Sequence, residues 1–237
     1  LAGKTAGRSV RELLGGIHQR IPVYISGNFL SQGSPEVHLN FFRPFLEQGI
    51  RGLKVRIGTS WEAELETLAG LRQLLGPGIT IFIDGNEAFS AKTALRIARL
   101  MEPLGVGFFE EPMPRTDEEG LARLVAKSPV QIAYGEHVHT SAGFLEIGRR
   151  GLADVWQPDA TVCGGLVEAR RIGDLAAVHG ARISPHSATT PLGLAANLHA
   201  ASTARTLSFL EYSARMSDLC PQFVNGEQVA HTVIVDG

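Results

Sequence analysis

A parallel α/β barrel of the (β/α)8 type, TIM-like and in a modified (β/α)7β form, is the fold class this sequence predicts. Three observations carry it. Short runs rich in β-branched and aromatic residues recur eight times, at intervals of about 24–30 residues. Amphipathic stretches of helical period lie between them. Eight even units, with no Gly-rich dinucleotide turn, leave an open doubly wound sheet as the weaker rival.

The strands begin near Ile21 (IPVYIS), Gly52 (GLKVRI), Ile79 (ITIFID), Val106 (VGFFEE), Val130 (VQIAYG), Asp154 (DVWQPD), Ala181 (ARISPH) and Leu207 (LSFLEY). Each is short and rich in β-branched or aromatic residues, and almost every one ends in an ionisable group. Between them, Trp61–Leu75 repeats leucine at positions 65, 68, 71 and 75, one helical face. Ala91–Met101, Glu118–Ala126, Ser141–Arg149 and Val167–Val178 carry similar stripes. No composition break divides the chain. Residues 21–215 are therefore read as one barrel domain, 1–20 as the end of a preceding helical segment, and 216–237 as a C-terminal return segment. The chain opens Leu1-Ala2-Gly3-Lys4, without Met and partway through a helical pattern, so an N-terminal part is expected to be missing.

Composition removes several functional classes. At 237 residues and 44% hydrophobic content the chain can bury one large core. A formal charge of −2 with scattered basic residues offers no surface for nucleic acid. No apolar stretch approaches the roughly 18 residues that span a membrane, and no signal peptide is visible. Cys163 and Cys220 are too few for a disulfide framework and fit a reducing cytoplasm.

In such a barrel, chemistry sits at the C-terminal ends of the strands. Asp84, Glu110 and Glu136 close three successive units, 26 residues apart in both gaps. Carboxylates gathered at one end of a fold repel unless a cation lies among them. Their hard oxygen donors favour Mg²⁺ or Mn²⁺ over zinc. Helix capping and pairing with arginine are the plainer alternatives for any one of them. In Glu110-Glu111 the side chains should face opposite ways; the spacing favours Glu110 as ligand and leaves Glu111 behind it, paired with a nearby cation.

Lys54 and Arg56, two apart, should share one side of their strand. Burial beside a guanidinium would depress the Lys54 amine and make it a base; simple neutralisation of the carboxylates is the alternative. His186 and Asp159 stand at the ends of adjacent strands, where the acid could orient the ring and raise its basicity. Glu211 could hydrogen-bond a developing oxyanion as a neutral acid, or serve as structural partner to a base. Asn86 and His137 are candidate substrate contacts. His137-Val138-His139 has a zinc-ligand spacing, but it follows the fifth strand rather than the first, where metal-dependent hydrolases carry it. Gly164-Gly165 is a turn or an anion-binding nest.

Together these residues resemble the barrel domain of the enolase superfamily, in its mandelate racemase/muconate lactonizing enzyme branch, from Leu1 to about Gly226. Lys54-Val55-Arg56 stands where that family usually has Lys-x-Lys. Asp84-Gly85-Asn86, Glu110-Glu111-Pro112 and Gly135-Glu136-His137 are similar to its three metal-ligand motifs. Pro158-Asp159, Cys163-Gly164-Gly165 and Pro185-His186-Ser187 are similar to its His–Asp dyad, and Phe209-Leu210-Glu211 to its eighth-strand acid. The resemblance implies Mg²⁺ and removal of the proton α to the carboxylate of a small-molecule substrate, through an enediolate. An acid-sugar dehydratase is the leading expectation. A racemase or epimerase using Lys54 and His186 follows, then a metal-dependent hydrolase, then a barrel without turnover. Arg56 departs from the family pattern and leaves Lys54 the one base on its side. The resemblance also implies a symmetric homo-oligomer.

Overall fold

The computed structural model of the chain describes residues 1–187 and 190–214. The expected return segment at 216–237, and Cys220 with it, lies outside the described residues.

The elements in chain order are α1 (Ala2–Ala6), α2 (Val10–Leu13), β1 (Val23–Phe29), α3 (Pro35–Glu47), β2 (Gly52–Arg56), α4 (Trp61–Leu75), β3 (Thr80–Asp84), α5 (Ala91–Met101), β4 (Val106–Glu110), α6 (Glu118–Val125), β5 (Ile132–Tyr134), α7 (Thr140–Arg150), β6 (Val155–Trp156), α8 (Leu166–His179), β7 (Arg182–Ile183), α9 (Pro191–Ala201) and β8 (Leu210–Ser213). The strands follow one another through a single sheet in the order β7-β6-β5-β4-β3-β2-β1-β8, and the β1–β2, β2–β3, β3–β4 and β4–β5 pairings are parallel. This is the TIM-like α/β class that the eightfold repeat predicts.

Two strands differ from the sequence reading in length for a visible reason. β6 stops at Trp156 and β7 at Ile183, each two residues before a proline, Pro158 and Pro185. A proline has no N–H for the ladder. Asp159 and His186 therefore stand on irregular segments just past their strands. The eighth strand starts at Leu210, because Leu207 makes only an isolated bridge to Ile183. α9 escapes amphipathic pattern reading because its sequence, PLGLAANLHAA, is apolar almost all round.

By internal contacts the chain gathers into two compact units, one of residues 24–134 and 150–155, the other of residues 1–23, 135–149 and the described residues from 156 onward. In the first, the pleat sorts side chains into layers. Tyr24, Phe82 and Phe108 pack ring to ring, with centroids 4.9 Å apart for Tyr24–Phe82 and 4.2 Å for Phe82–Phe108. Gly107 permits the close approach: a Cβ there would lie 2.6 Å from the Phe82 ring. Two residues farther along the strands, Arg56, Asp84 and Glu110 are register partners. A polar layer thus stands on an aromatic one. Leu53, Val55, Ile81, Ile83 and Phe109 are buried, as are Leu68 and Leu71 of α4 and Ile97 and Met101 of α5. Each such side chain contributes about 1.5–3 kcal/mol on burial. Ser90 caps α5 and Asp117 caps α6 through backbone amides.

In the second unit Trp156 packs between Phe144 and His179, with centroids 5.7 and 5.8 Å away. The N-terminal segment is tied down where the Ser202 carbonyl accepts from the Ile17 and His18 amides. Gly135 ends β5 at φ 137°, a conformation closed to other residues, and a Cβ there would meet the Phe144 ring at 2.8 Å.

Candidate active site

In the first unit, the strand-end residues of β2, β3 and β4 form a charged cluster. Lys54 is 1% exposed. Its Nζ lies 2.7 Å from Glu110 Oε1 and 3.9 Å from Asp84 Oδ2, and 5.5 Å from the centre of the Tyr24 ring. Arg56 shares that side of the strand: its Nε is 3.3 Å from Asp84 Oδ2, while Nη1 donates to the Gly27 carbonyl at 2.7 Å. The two basic residues converge on Asp84 as the two-residue spacing requires. Asp84 also accepts from the Asn86 amide at 2.9 Å and from the Asn86 side chain at 3.2 Å. Asp84-Gly85-Asn86 is thus a local Asx turn that fixes the carboxylate.

Glu110 and Glu111 are both buried. Glu111 has left the extended region, at φ 35°, as have Asn86 at 44° and Glu87 at 58°. Non-glycine residues pay for positive φ in strain, and such strain persists only where the surroundings enforce it. Here the loops after β3 and β4 enforce it through the Glu87 amide to the Glu111 carbonyl at 2.7 Å and the Phe89 amide to the Pro112 carbonyl at 3.1 Å. Burial, then the negative charge of Glu111, pushes the Tyr134 hydroxyl up to about 12.

The second unit holds the histidine cluster. His186 Nδ1 lies 2.9 Å from Asp159 Oδ2. Its Nε2 lies 3.5 Å from Glu136 Oε2 and 3.7 Å from Glu211 Oε2. Glu211 is buried and also accepts from the Ser187 amide at 3.4 Å. Asp159 is wholly buried, which alone would raise its carboxyl. Hydrogen bonds from His186, Asn197 and Thr161 outweigh burial and hold it at about 2. Burial, with the Asp159 charge, pushes the nearby Cys163 thiol up to about 11, so it carries no thiolate near neutrality.

His137 and His139 turn to different partners, Glu136 Oε1 at 3.2 Å and the Val162 carbonyl at 3.1 Å. Their spacing does not become a common pair. Sequence reasoning missed Thr161 and Asn197. Thr161 was legible as the second half of an Asp-x-Thr turn like that at Asp84. Asn197 was visible as a lone amide in an apolar helix, but nothing local names its partner.

In the first unit Asp84, 2% exposed, and Glu110, fully buried, offer carboxylate oxygens from adjacent strands, the hard donors that a divalent cation takes.

Comparison with known proteins places these residues in context. A family model described as "Enolase C-terminal domain-like" matches residues 41–235. Arabinonate dehydratase of Saccharolobus solfataricus is 33% identical over 92% of this chain and 59% of its own length. D-galactarolactone cycloisomerase of Agrobacterium fabrum is 31% identical over 84% of this chain and 53% of its own length. A Bradyrhizobium enolase solved in complex with magnesium and mandelic acid superposes with a TM-score of 0.81 at 29% identity, over 89% of this chain and 57% of its own. Other similar proteins are named as dehydratases, a cycloisomerase and a dipeptide epimerase. The chain therefore spans about half the length of the curated relatives it matches.

Proposed function

The chain belongs to the Enolase C-terminal domain-like family of the enolase superfamily, and from that premise we propose that it carries the catalytic residues of a Mg²⁺-dependent dehydratase of sugar acids. The observation that carries this reading is His186, with one ring nitrogen held by an ionised aspartate and the other turned toward two carboxylates.

Asp84, Glu110 and Glu136 would hold the Mg²⁺. The ion would supply positive charge beside the substrate carboxylate, which lowers the cost of removing the α-proton. The residues of the chain do the rest. A base, Lys54 or His186 according to the stereoisomer bound, takes the α-proton. Lys54 lies buried over the Tyr24 ring, and its ion pair with Glu110 must give way before the amine can accept a proton. His186, as imidazolium, gives a proton to the β-hydroxyl as its C–O bond breaks, and water leaves. The enol that remains takes a proton at C3 and becomes a 2-keto-3-deoxy acid. Asp159 keeps the ring oriented throughout. Glu211, as a neutral acid, donates a hydrogen bond to the developing charge, and Arg56, Asn86 and His137 contact the substrate. Arg56 cannot act as a base, so Lys54 works alone on its side.

Incubation of the chain with Mg²⁺ and a panel of aldonic and aldaric acids, followed by a carbonyl assay, tests the reading. A 2-keto acid should form with at least one of them, and not after His186→Asn. A racemase or epimerase is the second reading, favoured by the presence of both Lys54 and His186 and by the epimerase among the relatives. In that case no carbonyl forms, and Lys54→Ala abolishes α-proton exchange from one enantiomer only.

A further inference from the structure

We propose that Asn197, on α9, is a positioning residue for the proton-carrying histidine: it locks Asp159 as an acceptor and so fixes the proton of neutral His186 on Nδ1. The proposal rests on the reading of His186 as a proton carrier, but its geometry is independent of which acid is the substrate.

Asn197 is 1% exposed, so each of its polar atoms needs a partner. Its Oδ1 accepts from the Ala160 backbone amide at 2.8 Å. A backbone amide can only donate, which fixes which end of the side-chain amide is oxygen. The NH₂ must then face Asp159 Oδ1, which lies 3.0 Å from Nδ2. An amide NH₂ can only donate in its turn, so that carboxylate oxygen must accept. The Thr161 amide and hydroxyl donate to the same oxygen at 2.8 and 2.7 Å. Three donors meet on Oδ1, which leaves Oδ2 as the acceptor that faces His186 Nδ1 at 2.9 Å. Nδ1 therefore bears the hydrogen in the neutral ring, and Nε2, 3.5 Å from Glu136 Oε2 and 3.7 Å from Glu211 Oε2, is the nitrogen that carries the second proton in the imidazolium. One backbone N–H thus acts, through an asparagine and an aspartate, on the tautomer of a histidine.

Asn197→Asp tests the inference. It keeps the acceptor for Ala160 and the shape of the side chain, but replaces the donor facing Asp159 with an oxygen. In ¹⁵N-histidine-labelled chain, held at one pH where the ring is neutral, His186 should show a hydrogen-bonded Nδ1–H proton well downfield and a bare Nε2. The His186→Gln spectrum assigns it. Asn197→Asp should shift that proton upfield and mix the tautomers, and the folded chain should lose roughly 10- to 100-fold in kcat with KM little changed. Should Asn197→Asp fail to fold, Asn197→Ala removes the same donor without burying a charge and decides the matter by the same signal. A folded variant with the wild-type Nδ1–H resonance and tautomer overturns the proposal. Because the NMR readout needs no substrate, absence of dehydratase activity would leave it standing or falling on its own evidence.

Discussion

Asp159 joins His186, Asn197 and Thr161 in the second unit. Its carboxyl lies at about 2 in place of 3.8. A lowered carboxyl stabilises the fold above the ordinary value and loses that contribution as pH falls toward the folded one. Thermal unfolding of the wild type and Asp159→Asn should therefore differ most above about pH 4, by roughly 2 kcal/mol, and converge as pH approaches about 2. A difference that does not change with pH would mean the hydrogen bonds do not hold the ionised form. At this scale the candidate residues are read from the strand ends, where such barrels concentrate chemistry, and from the equal spacing of the acids. What stayed hidden was the set of long-range partners. Lys54 finds Glu110 across 56 positions and Asn197 finds Asp159 across 38, and no local pattern encodes such pairings.

Turns and prolines decide where each element releases its functional residue. Pro158 and Pro185 cut β6 and β7 short, and Gly135 does the same for β5 by conformation. Strand positions were readable from β-branched runs, while strand ends depended on these three residues. α9 could not be read from periodicity, since it has almost no polar face. Gly135→Ala should show how tightly the element end is specified. An added methyl would stand 2.8 Å from the Phe144 ring and 3.2 Å from the Gln157 amide, at a φ that alanine disfavours. A loss of about 2–3 kcal/mol in chemical denaturation is expected, along with displacement of the adjacent Glu136. A neutral result would mean that the loop relaxes freely.

Across the whole molecule, the eightfold repeat announced the fold, while the two compact units interleave along the sequence and leave no compositional mark. Among the described residues no helix is long and apolar enough to cross a bilayer. If three carboxylates hold Mg²⁺, the ion must stabilise the folded chain by mass action. At a hundredfold excess over the dissociation constant the gain is about 2.7 kcal/mol, or roughly 5–10 °C in a chain of this size. Glu110→Gln should abolish the shift, and a chain whose unfolding ignores Mg²⁺ would not contain the proposed site.

The most direct test of the central claim is proton NMR in D₂O, with Mg²⁺ and a panel of sugar acids. Dehydration predicts loss of the α-proton signal together with the appearance of a 3-deoxy methylene carrying solvent deuterium. Exchange of the α-proton with every hydroxyl retained would contradict it, and would make Lys54 and His186 the two bases of a racemase.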